Sequence, residues 1–577
     1  MKKIFTCMAI AALAMNIVAS ASVTMSETGS VSLEGIISNA ENASSYSAMA
    51  YSGSDLYVSG VYDTPFGGFD VIGASSYVIK YDANLSEKWK VSILGSATVT
   101  SMLADNDGGV YVAGTFADEV EFGSTNGSSI IRYGYQESGA YTVTQAASFI
   151  AHYDKDGVLL AVGDILPEHV AALDATGMYF PYDGDIYCTL NNLFESDGVL
   201  YASAVFTGQL SNAESTQTAV SGSYDAFGIG YYMLSRAGVV IELNGELEAA
   251  SFPVIVNNRD FTELITSEEV RSLNATADGN TLYVGTISTG LTKFNVYGSE
   301  QTVDVPLSDT GIGYVFGYTV ASVNLDTHAV NVLKEFDPVT TDDEYISTSI
   351  DAITASGDNL FITGIFQGAL GFDQQLQALG SNDMFAASLN KSTFEVNWAS
   401  ATGFDEGDAT VNEEIMNGSV ISGNCIYLYG RSELKKDYSA VAPLFYAVNP
   451  TSGEMSAQEF SDYTIGVAGS NGGALITRAS TEATVTGIKF TTYDVTGLGV
   501  NAIAEDLAAA VTMYPNPVVD IINFSASCDV TVLSLDGRVV LKANDVNSLD
   551  VAGLNNGVYI VNALSEGQSY TLKMIKK

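Results

Sequence analysis

The chain has 577 residues, of which 47% are hydrophobic and 16% are charged, a composition that excludes a disordered protein because it can fill one large core or several smaller ones. Asp and Glu number 67 against 23 Lys and Arg, so the formal net charge is −44. This acidic balance excludes nucleic-acid binding through phosphate contacts, which requires a basic surface.

The N-terminus has the features of a secretory signal peptide, predicted over residues 1–21. Two lysines precede an apolar run at residues 4–18, and Ala19 and Ala21 supply the small residues that signal peptidase reads. A membrane anchor is the alternative, but the run is shorter than the roughly 20 apolar residues that cross a bilayer. We therefore expect a secreted chain without a transmembrane segment.

Removal of this peptide leaves three cysteines, Cys188, Cys425 and Cys528. Their odd number and wide spacing fit neither a disulfide framework nor a metal-binding motif. A free cysteine with no histidine near it in sequence behaves as a small hydrophobic residue, so we expect three buried thiols.

The body of the chain, residues 46–504, contains an internal repeat of a turn followed by a short apolar strand. Seven copies lie at residues 53–60, 108–116, 197–206, 278–286, 356–366, 422–430 and 472–477. A second strand that ends near Asp or Asn follows each copy, at residues 77–82, 149–154, 231–236, 319–324, 385–390, 445–450 and 489–494. Further strands before the first and after the second give four strands in each unit.

Short strands that are apolar on both faces must bury both faces, and one isolated four-stranded sheet cannot do this. Sheets arranged radially bury both faces against their neighbours, so the repeat predicts an all-β fold with a seven-bladed β-propeller. Stacked β-sandwiches are the alternative, and six or eight blades stay open because the last copy is atypical. Within the N-terminal segment 22–45, residues 31–37 are predicted to be a strand that closes the last blade.

A likeness to a known repeat supports this interpretation. The strand that ends at Phe116, followed by Phe122 and Gly123, resembles the bacterial SBBP-type seven-bladed propeller repeats, and the same spacing is found at residues 366–373. The resemblance covers about residues 46–494. It implies a scaffold to which no particular activity is attached.

After a linker at residues 505–512, residues 513–577 form a separate module. Two prolines one residue apart disfavour a helix at its start, and short strands with Asp-Gly and Glu-Gly turns follow, which predicts a small β-sandwich. Its motif residues are Tyr514, Pro515, Asn516, Pro517, Asp536, Gly537, Gly557, Tyr559 and Lys573.

The order of these motifs is similar to the type A C-terminal sorting domain of type IX secretion cargo. The resemblance implies that the type IX secretion machinery is a partner and that it carries the folded chain across the outer membrane. In that family the sorting domain is usually removed, and the body is attached to a surface glycolipid or released. The cleavage is expected in the linker, and the destination is the cell surface or the extracellular space.

Residues that carry catalytic chemistry are sparse. His152, His169 and His328 lie in three different units, which disfavours an imidazole-based triad and a multi-histidine metal centre, and no catalytic residue is predicted. Trp89 and Trp398 occupy equivalent outer strands of units one and five, which predicts packing between blades rather than sugar stacking.

Acidic turns are the candidate metal sites. Asp105 and Asp107, and likewise Asp154 and Asp156, place alternate carboxylates that could reach one calcium ion. Ordinary turn geometry is the favoured alternative, because Asp-Gly sequences are common in tight turns. Calcium is the one cofactor that these residues suggest.

We expect the exported propeller to be a binding or adhesion module for an extracellular protein or glycan, without catalysis. The ligand is expected to contact the variable connections between the two repeat strands of each unit. Two alternatives stay open: a secreted carbohydrate-active enzyme that uses loop carboxylates, and an architectural surface protein that binds its own kind.

Overall fold

A computed structural model describes residues 23–38, 47–73, 75–134, 146–168, 186–221, 223–225, 232–258, 270–288, 291–304, 315–336, 339–340, 348–372, 374–402, 412–422, 425–434, 439–470, 473–481, 487–496, 513–514, 518–534, 538–565 and 568–577. These residues form strands and connections without a helix, so the part of the chain that is described offers no helix that could cross a membrane. The all-β prediction is confirmed for them. Several predicted features lie outside the described residues: the signal peptide with Ala19 and Ala21, the linker 505–512, His169, Pro515, Asn516, Pro517, Asp536 and Gly537.

The chain divides into two compact units, Met1–Val500 and Asn501–Lys577. Among the described residues of the first unit, seven sheets each contain four consecutive antiparallel strands, and we number these sheets along the chain. Sheet 1 contains β2 (Ala48–Ser52), β3 (Asp55–Tyr62), β4 (Ser75–Tyr81) and β5 (Glu87–Leu94). Sheet 2 contains β6 (Ala97–Ala104), β7 (Val110–Phe116), β10 (Ala147–Tyr153) and β11 (Leu159–Ile165).

The next sheets repeat this arrangement. Sheet 3 contains β12 (Tyr187–Ser196), β13 (Val199–Thr207), β18 (Ala237–Leu243) and β19 (Ala249–Asn258). Sheet 4 contains β20 (Val270–Asp278), β21 (Thr281–Ser288), β24 (Val315–Asn324) and β25 (Ala329–Glu335). Sheet 5 contains β27 (Ser349–Ser356), β28 (Asn359–Phe372), β29 (Gln374–Asn390) and β30 (Val396–Ala401).

The last two sheets complete the set. Sheet 6 contains β31 (Asn412–Ser422), β32 (Cys425–Leu434), β33 (Ser439–Val448) and β34 (Met455–Ala457). Sheet 7 contains β35 (Tyr463–Gly469), β36 (Leu475–Thr481), β37 (Ile488–Thr496) and, as its fourth strand, β1 (Thr24–Leu33).

Strand β1 joins the beginning of the described chain to the last sheet. It runs antiparallel to β37, with Thr24 opposite Thr496 and Leu33 opposite Ile488. The strand predicted at residues 31–37 therefore begins earlier and ends sooner than expected. Past its end, Ile36 is buried in the core shared by sheets 7 and 1.

An apolar core fills the space between each pair of successive sheets. Tyr57 and Val112 belong to the core between sheets 1 and 2, and the same arrangement follows between sheets 2 and 3, 3 and 4, 4 and 5, 5 and 6, and 6 and 7. Val58 and Phe490 belong to a core between sheets 7 and 1. Each sheet therefore buries both faces, which explains why β4 is buried at every residue.

Insertions between the repeat strands form hairpins that cover sheet edges. β8 (Glu119–Gly123) pairs with β5 of the preceding sheet and is followed by β9 (Ser129–Tyr133). β22 (Leu291–Val296), followed by β23 (Ser299–Asp304), pairs in the same way with β19. Two of the connections expected to contact ligand thus shield outer strands from edge-to-edge association. The remaining short strands are β14 (Gln209–Ser211), β15 (Thr218–Val220), β16 (Ser223–Asp225), β17 (Tyr232–Leu234) and β26 (Val339–Thr340).

One predicted repeat strand is wrong. Tyr232–Leu234, within the strand predicted at residues 231–236, forms β17 and pairs with β16, whereas β13 pairs with β18 (Ala237–Leu243). Both segments are short and apolar, so strand propensity does not separate them, and the cross-strand partner decides. Asn244 directly follows the end of β18, which preserves the pattern of a terminal Asp or Asn.

This terminal Asp or Asn has a structural cause. In sheets 1 to 6 its side-chain oxygen accepts a hydrogen bond from the backbone N–H two residues later, which stabilises the turn into the fourth strand. These residues are Asp82, Asp154, Asn244, Asn324, Asn390 and Asn449. Sheet 7 needs no such turn because its fourth strand is β1.

The two tryptophans pack between sheets, as predicted. The indole of Trp89 in β5 donates a hydrogen bond to the carbonyl of Lys155 in sheet 2 over 3.0 Å. The indole of Trp398 in β30 donates to the carbonyl of Pro450 in sheet 6 over 2.9 Å. Each ring therefore covers the turn between the third and fourth strands of the next sheet.

The three cysteines are free and buried, as predicted. Burial raises the pKa of the Cys188 thiol to about 12 and that of Cys425 to about 11. These thiols are therefore protonated and unreactive at neutral pH, because the thiolate is the nucleophilic form.

The second unit is one five-stranded sheet of β38 (Met513–Tyr514), β39 (Ile521–Ser534), β40 (Val539–Asp550), β41 (Gly557–Ser565) and β42 (Gln568–Lys576). The pairing of β39 with β40 breaks register between Asn523 and Cys528, and Ile522 and Val532 from the two halves of β39 share one core. Hydrogen bonding thus joins in one sheet the strands that the sequence assigns to a sandwich. Gly557 begins β41, and the hydroxyl of Tyr559 donates to the carbonyl of Asn555 over 2.9 Å.

Candidate functional site

The first strands of the seven sheets lie innermost in the first unit. The strands β2, β6, β12, β20, β27, β31 and β35 contact one another in this order, and β35 contacts β2. The first strands therefore follow one another in a cyclic order of contacts.

Six of these strands carry a β-bulge in their pairing with the second strand, at the same place in five of them and two residues further from the turn in β20. A bulge leaves one residue out of the ladder and redirects its side chain. The six residues left out, which we name the bulge residues, are Thr100, Asn191, Arg271, Asp351, Asn417 and Ile465.

Three polar bulge residues connect neighbouring sheets. The Thr100 hydroxyl donates to the carbonyl of Leu190 over 2.7 Å. The amide of Asn191 donates to the carbonyl of Leu273 over 2.9 Å, and the amide of Asn417 donates to the carbonyl of Thr464 over 2.8 Å. Each bond satisfies a backbone carbonyl of the next first strand, so these side chains help to hold neighbouring sheets together.

A cavity of about 310 Å³ opens among four of the bulge residues, Thr100, Asn191, Arg271 and Asp351. Asn274 also lines it, together with hydroxyl side chains from β12, β20 and β27. Eight of the eleven described residues that line the cavity are polar, and they include one guanidinium and one carboxylate. Its volume is at the lower end of the range for small-molecule sites, about 300–1,000 Å³.

The carboxylate of Asp351 is held from the neighbouring sheet. Its Oδ2 accepts a hydrogen bond from the Ser419 hydroxyl over 2.5 Å, and the hydroxyls of Ser419 and Thr363 lie 2.6 Å apart. Burial raises the pKa of Asp351 above its ordinary value, and the hydrogen bond from Ser419 partly opposes this rise. The side chain keeps contact with the cavity and is only partly buried.

Replacing Asp351 with Asn is expected to stabilise the protein at pH 7. Asn preserves the shape and an acceptor for Ser419 and removes the charge whose burial raises the pKa. The gain in free energy of unfolding is largest above the folded-state pKa of Asp351, and it shrinks as the pH falls through that pKa, since the wild-type side chain then becomes neutral. Urea denaturation at several pH values measures it. A loss of stability at every pH would contradict this expectation.

The candidate calcium ligands lie in turns of sheet 2 and are not among the described residues that line the cavity. Asp105 Oδ1 accepts hydrogen bonds from the backbone N–H groups of Asp107 and Gly109, over 2.9 and 2.6 Å. Asp154 Oδ1 accepts in the same way from Asp156, over 2.9 Å. Turn geometry accounts for these carboxylates. Within the described ranges no three His, Cys, Asp or Glu residues converge as a metal site, and calcium at these four positions stays a prediction.

The two described histidines lie in different sheets. His152 Nε2 is 2.7 Å from Asp105 Oδ2, and its ring stacks on Tyr111 with 4.1 Å between centroids. His328 stacks on Tyr297 at 3.6 Å. The structure therefore does not bring them together as one site.

Sequence patterns do not single out the cavity residues. Their types differ from sheet to sheet, so they share no motif, and a bulge is defined by the partner strand rather than by the residue itself. One signal is present in the sequence: five of the six bulge residues are polar although the strands around them are mostly apolar.

A family model described as "Secretion system C-terminal sorting domain" matches residues 512–577. The predicted sorting domain is thus confirmed, and with it export across the outer membrane to the cell surface or the extracellular space. No curated protein matches the chain.

Solved structures with similar chains include β-propellers. The Dos1 propeller has 10% sequence identity and a TM-score of 0.37, and the match covers 82% of this chain and 95% of that chain. The β-propeller domain of Cps50 (Swd1) from Myceliophteria thermophila has 10% identity and a TM-score of 0.38, with 82% and 100% covered. Because both scores are low, the architecture of this chain is inferred from its own sheets and cores.

Proposed function

We propose that the exported body is a closed seven-bladed β-propeller that binds an extracellular glycan in its channel and does not catalyse a reaction. Three features support seven blades and closure: the seven four-stranded sheets, the cyclic order of their first strands, and the core that sheets 7 and 1 share. Closure by β1 removes the free edge that an open ring would present.

The polar cavity among the bulge residues is the observation that carries the ligand class. Sugar hydroxyls both donate and accept hydrogen bonds, and Arg271, Asp351, Asn191 and Asn274 supply the complementary groups. Protein interfaces depend mainly on aromatic and arginine anchors, and none of the described residues that line this cavity is aromatic. A glycan end is therefore the favoured occupant over a protein.

Binding is favoured over hydrolysis by the number of acidic groups. Most glycoside hydrolases use two carboxylates, about 5–10 Å apart, one on each side of the scissile bond. Among the described residues that line the cavity, Asp351 is the one carboxylate. The cavity thus supports recognition of a sugar more than its cleavage.

A glycan array with the mature exported protein tests this proposal, followed by titration calorimetry with the glycans that bind. Arg271→Ala is expected to weaken binding at least about tenfold, since a hydrogen bond to a charged group contributes about 1.5–3 kcal/mol. Arg132→Ala is the matched control, because Arg132 pairs with Asp164 at the outer edge and not in the channel.

The other outcomes separate the alternatives. Depolymerisation of a bound glycan would identify an enzyme, and self-association without glycan binding would identify an architectural protein. If the array shows no binding and the body captures a protein whose affinity is unchanged by Arg271→Ala, the ligand binds outside this cavity.

A further inference from the structure

The second unit carries most of the exposed apolar side chains that the structure describes. Six of the eleven large hydrophobic side chains that are exposed lie in this unit, although it begins only at Asn501. They are Val519, Ile521, Val539, Val540, Ile560 and Leu564. Single exposed apolar side chains are normal on a protein surface, whereas contiguous ones mark interaction sites. The register of the strands decides which of the six are neighbours.

Three apolar side chains form a row across three strands of this unit. In β39, Leu533 lies opposite Val539 of β40 and opposite Ile560 of β41. The row is on the face of the sheet opposite to the core, because the next residues along two of these strands, Val532 and Val561, are fully buried in the core. Val539 is 59% exposed and Ile560 is 37% exposed. The row is therefore open to solvent.

A β-bulge adds a second exposed valine beside this row. Val539 and Leu541 have partners in β39, and Val540 between them is left out of the ladder. In a regular strand, successive side chains point to opposite faces, but a bulge redirects the side chain of the extra residue. Val539 and Val540 are accordingly both exposed, although they follow each other in sequence. We name the surface formed by Val539, Val540, Leu533 and Ile560 the apolar patch.

The charges beside the apolar patch narrow the chemistry of a partner. Lys542 is exposed and lies opposite Thr531, one row along the same face from Leu533. Asp529 lies a further row away, opposite Leu564. The charge nearest to the patch is therefore positive. A surface that buries the patch has to be apolar, and a carboxylate at its rim would complement Lys542.

We propose that the apolar patch docks on a component of the secretion machinery whose own surface is apolar and carries a carboxylate at its rim. The occupant follows from the family of this unit, since residues 512–577 match a secretion-system sorting domain, and such a domain has to be recognised by the machinery that exports it. The location follows from the row of apolar side chains that three strands present to solvent. The proposal concerns the second unit and is independent of glycan binding by the body.

Export of the full-length chain from cells with a type IX secretion system tests the proposal. The double variant Val539→Asp with Val540→Asp is expected to lower the exported amount at least about tenfold, because a charge in the patch opposes its burial. Lys542→Glu reverses a charge at the rim and is expected to lower export about two- to fivefold. Two controls are expected to be exported normally: Ile521→Asp, 54% exposed in the same unit but outside the patch, and Ile131→Asp, 40% exposed in β9 of the body.

Cross-linking in the same cells identifies the occupant. A photoreactive amino acid in place of Val540 is expected to cross-link to a component of the secretion machinery, and one in place of Ile521 is not. A cross-link between two copies of the chain, or to lipid alone, would overturn the proposal.

The export results decide independently of the cross-link. Normal export of the double variant, or an equal loss with Ile521→Asp, would overturn the proposal. Urea denaturation of the purified chain shows whether the double variant folds. If it does not fold, normal export of Lys542→Glu together with the absence of the Val540 cross-link would overturn the proposal, and reduced export with the cross-link would support it.

Discussion

Replacing Arg478 with Ala is expected to lower the free energy of unfolding of the body by about 3–5 kcal/mol, the usual cost of breaking a buried ion pair from one side. Arg478 lies in β36, and its side chain is only 2% exposed. The guanidinium pairs with Asp462, donates to the Thr464 hydroxyl over 2.9 Å, and lies 3.8 Å from the ring centroid of Phe460.

The large effect has its origin in the groups that the substitution leaves behind. Without the guanidinium, Asp462 loses its cation and the buried Thr464 hydroxyl loses a partner, so both pay a desolvation cost without compensation. The location adds to the effect, since β36 pairs with β37, the strand on which β1 closes the last sheet.

Urea denaturation followed by tryptophan fluorescence measures the change, because Trp89 and Trp398 are the only tryptophans and both lie in the body. Arg132→Ala is the control. Its side chain is 33% exposed and pairs with a partly exposed Asp164, so the expected loss is at most about 1 kcal/mol. A loss of similar size in both variants would contradict the expectation that the buried ion pair in sheet 7 contributes more to stability than the exposed one.

Gly453→Ala is expected to destabilise the body by about 2–5 kcal/mol. Gly453 has a φ of +74°, and a Cβ atom there would lie 2.5 Å from Cε3 of Trp398. Two costs therefore add, about 1–2 kcal/mol for a left-handed backbone and about 1–3 kcal/mol for overpacking against a ring that is itself held by Pro450.

Gly127→Ala is the matched control, with a φ of +79° and no atom within 4 Å of the added Cβ, so it bears the backbone cost alone. Gly157→Ala is expected to resemble Gly453→Ala, because its Cβ would lie 2.7 Å from Cδ2 of Trp89. Denaturation of the three variants measures how much free energy of unfolding each of them loses. Equal losses at Gly453 and Gly127 would mean that the indole moves aside without cost.

The strands could be predicted from the sequence because turn residues mark where they begin. The glycine of a tight turn needs a positive φ, as at Gly53, Gly198 and Gly357, and an apolar strand follows each of them. The strand predicted at residues 231–236 failed for the opposite reason, since two apolar segments compete there and only pairing with β13 selects Ala237–Leu243.

The candidate site could not be predicted in this way. Arg271 and Asp351 lie 80 positions apart and belong to different repeats, and nothing in their local sequence distinguishes them from solvent-facing polar residues. Bulges in β20 and β27 leave both residues out of the hydrogen-bonded ladder, and both residues line one cavity. Proximity across repeats depends on how neighbouring sheets pack, which local propensity does not encode.

By itself the sequence determined the all-β class, the repeat, the acidic charge, the buried thiols and the C-terminal sorting domain, because turn residues, apolar strands and ordered motifs are local properties of the chain. Only the tertiary structure decided that β1 completes sheet 7, that hairpins β8–β9 and β22–β23 cover the edges of preceding sheets, and that four of the bulge residues line one cavity. These three features arise from hydrogen bonds and contacts between residues far apart in sequence, whose partners are chosen by burial of whole sheets.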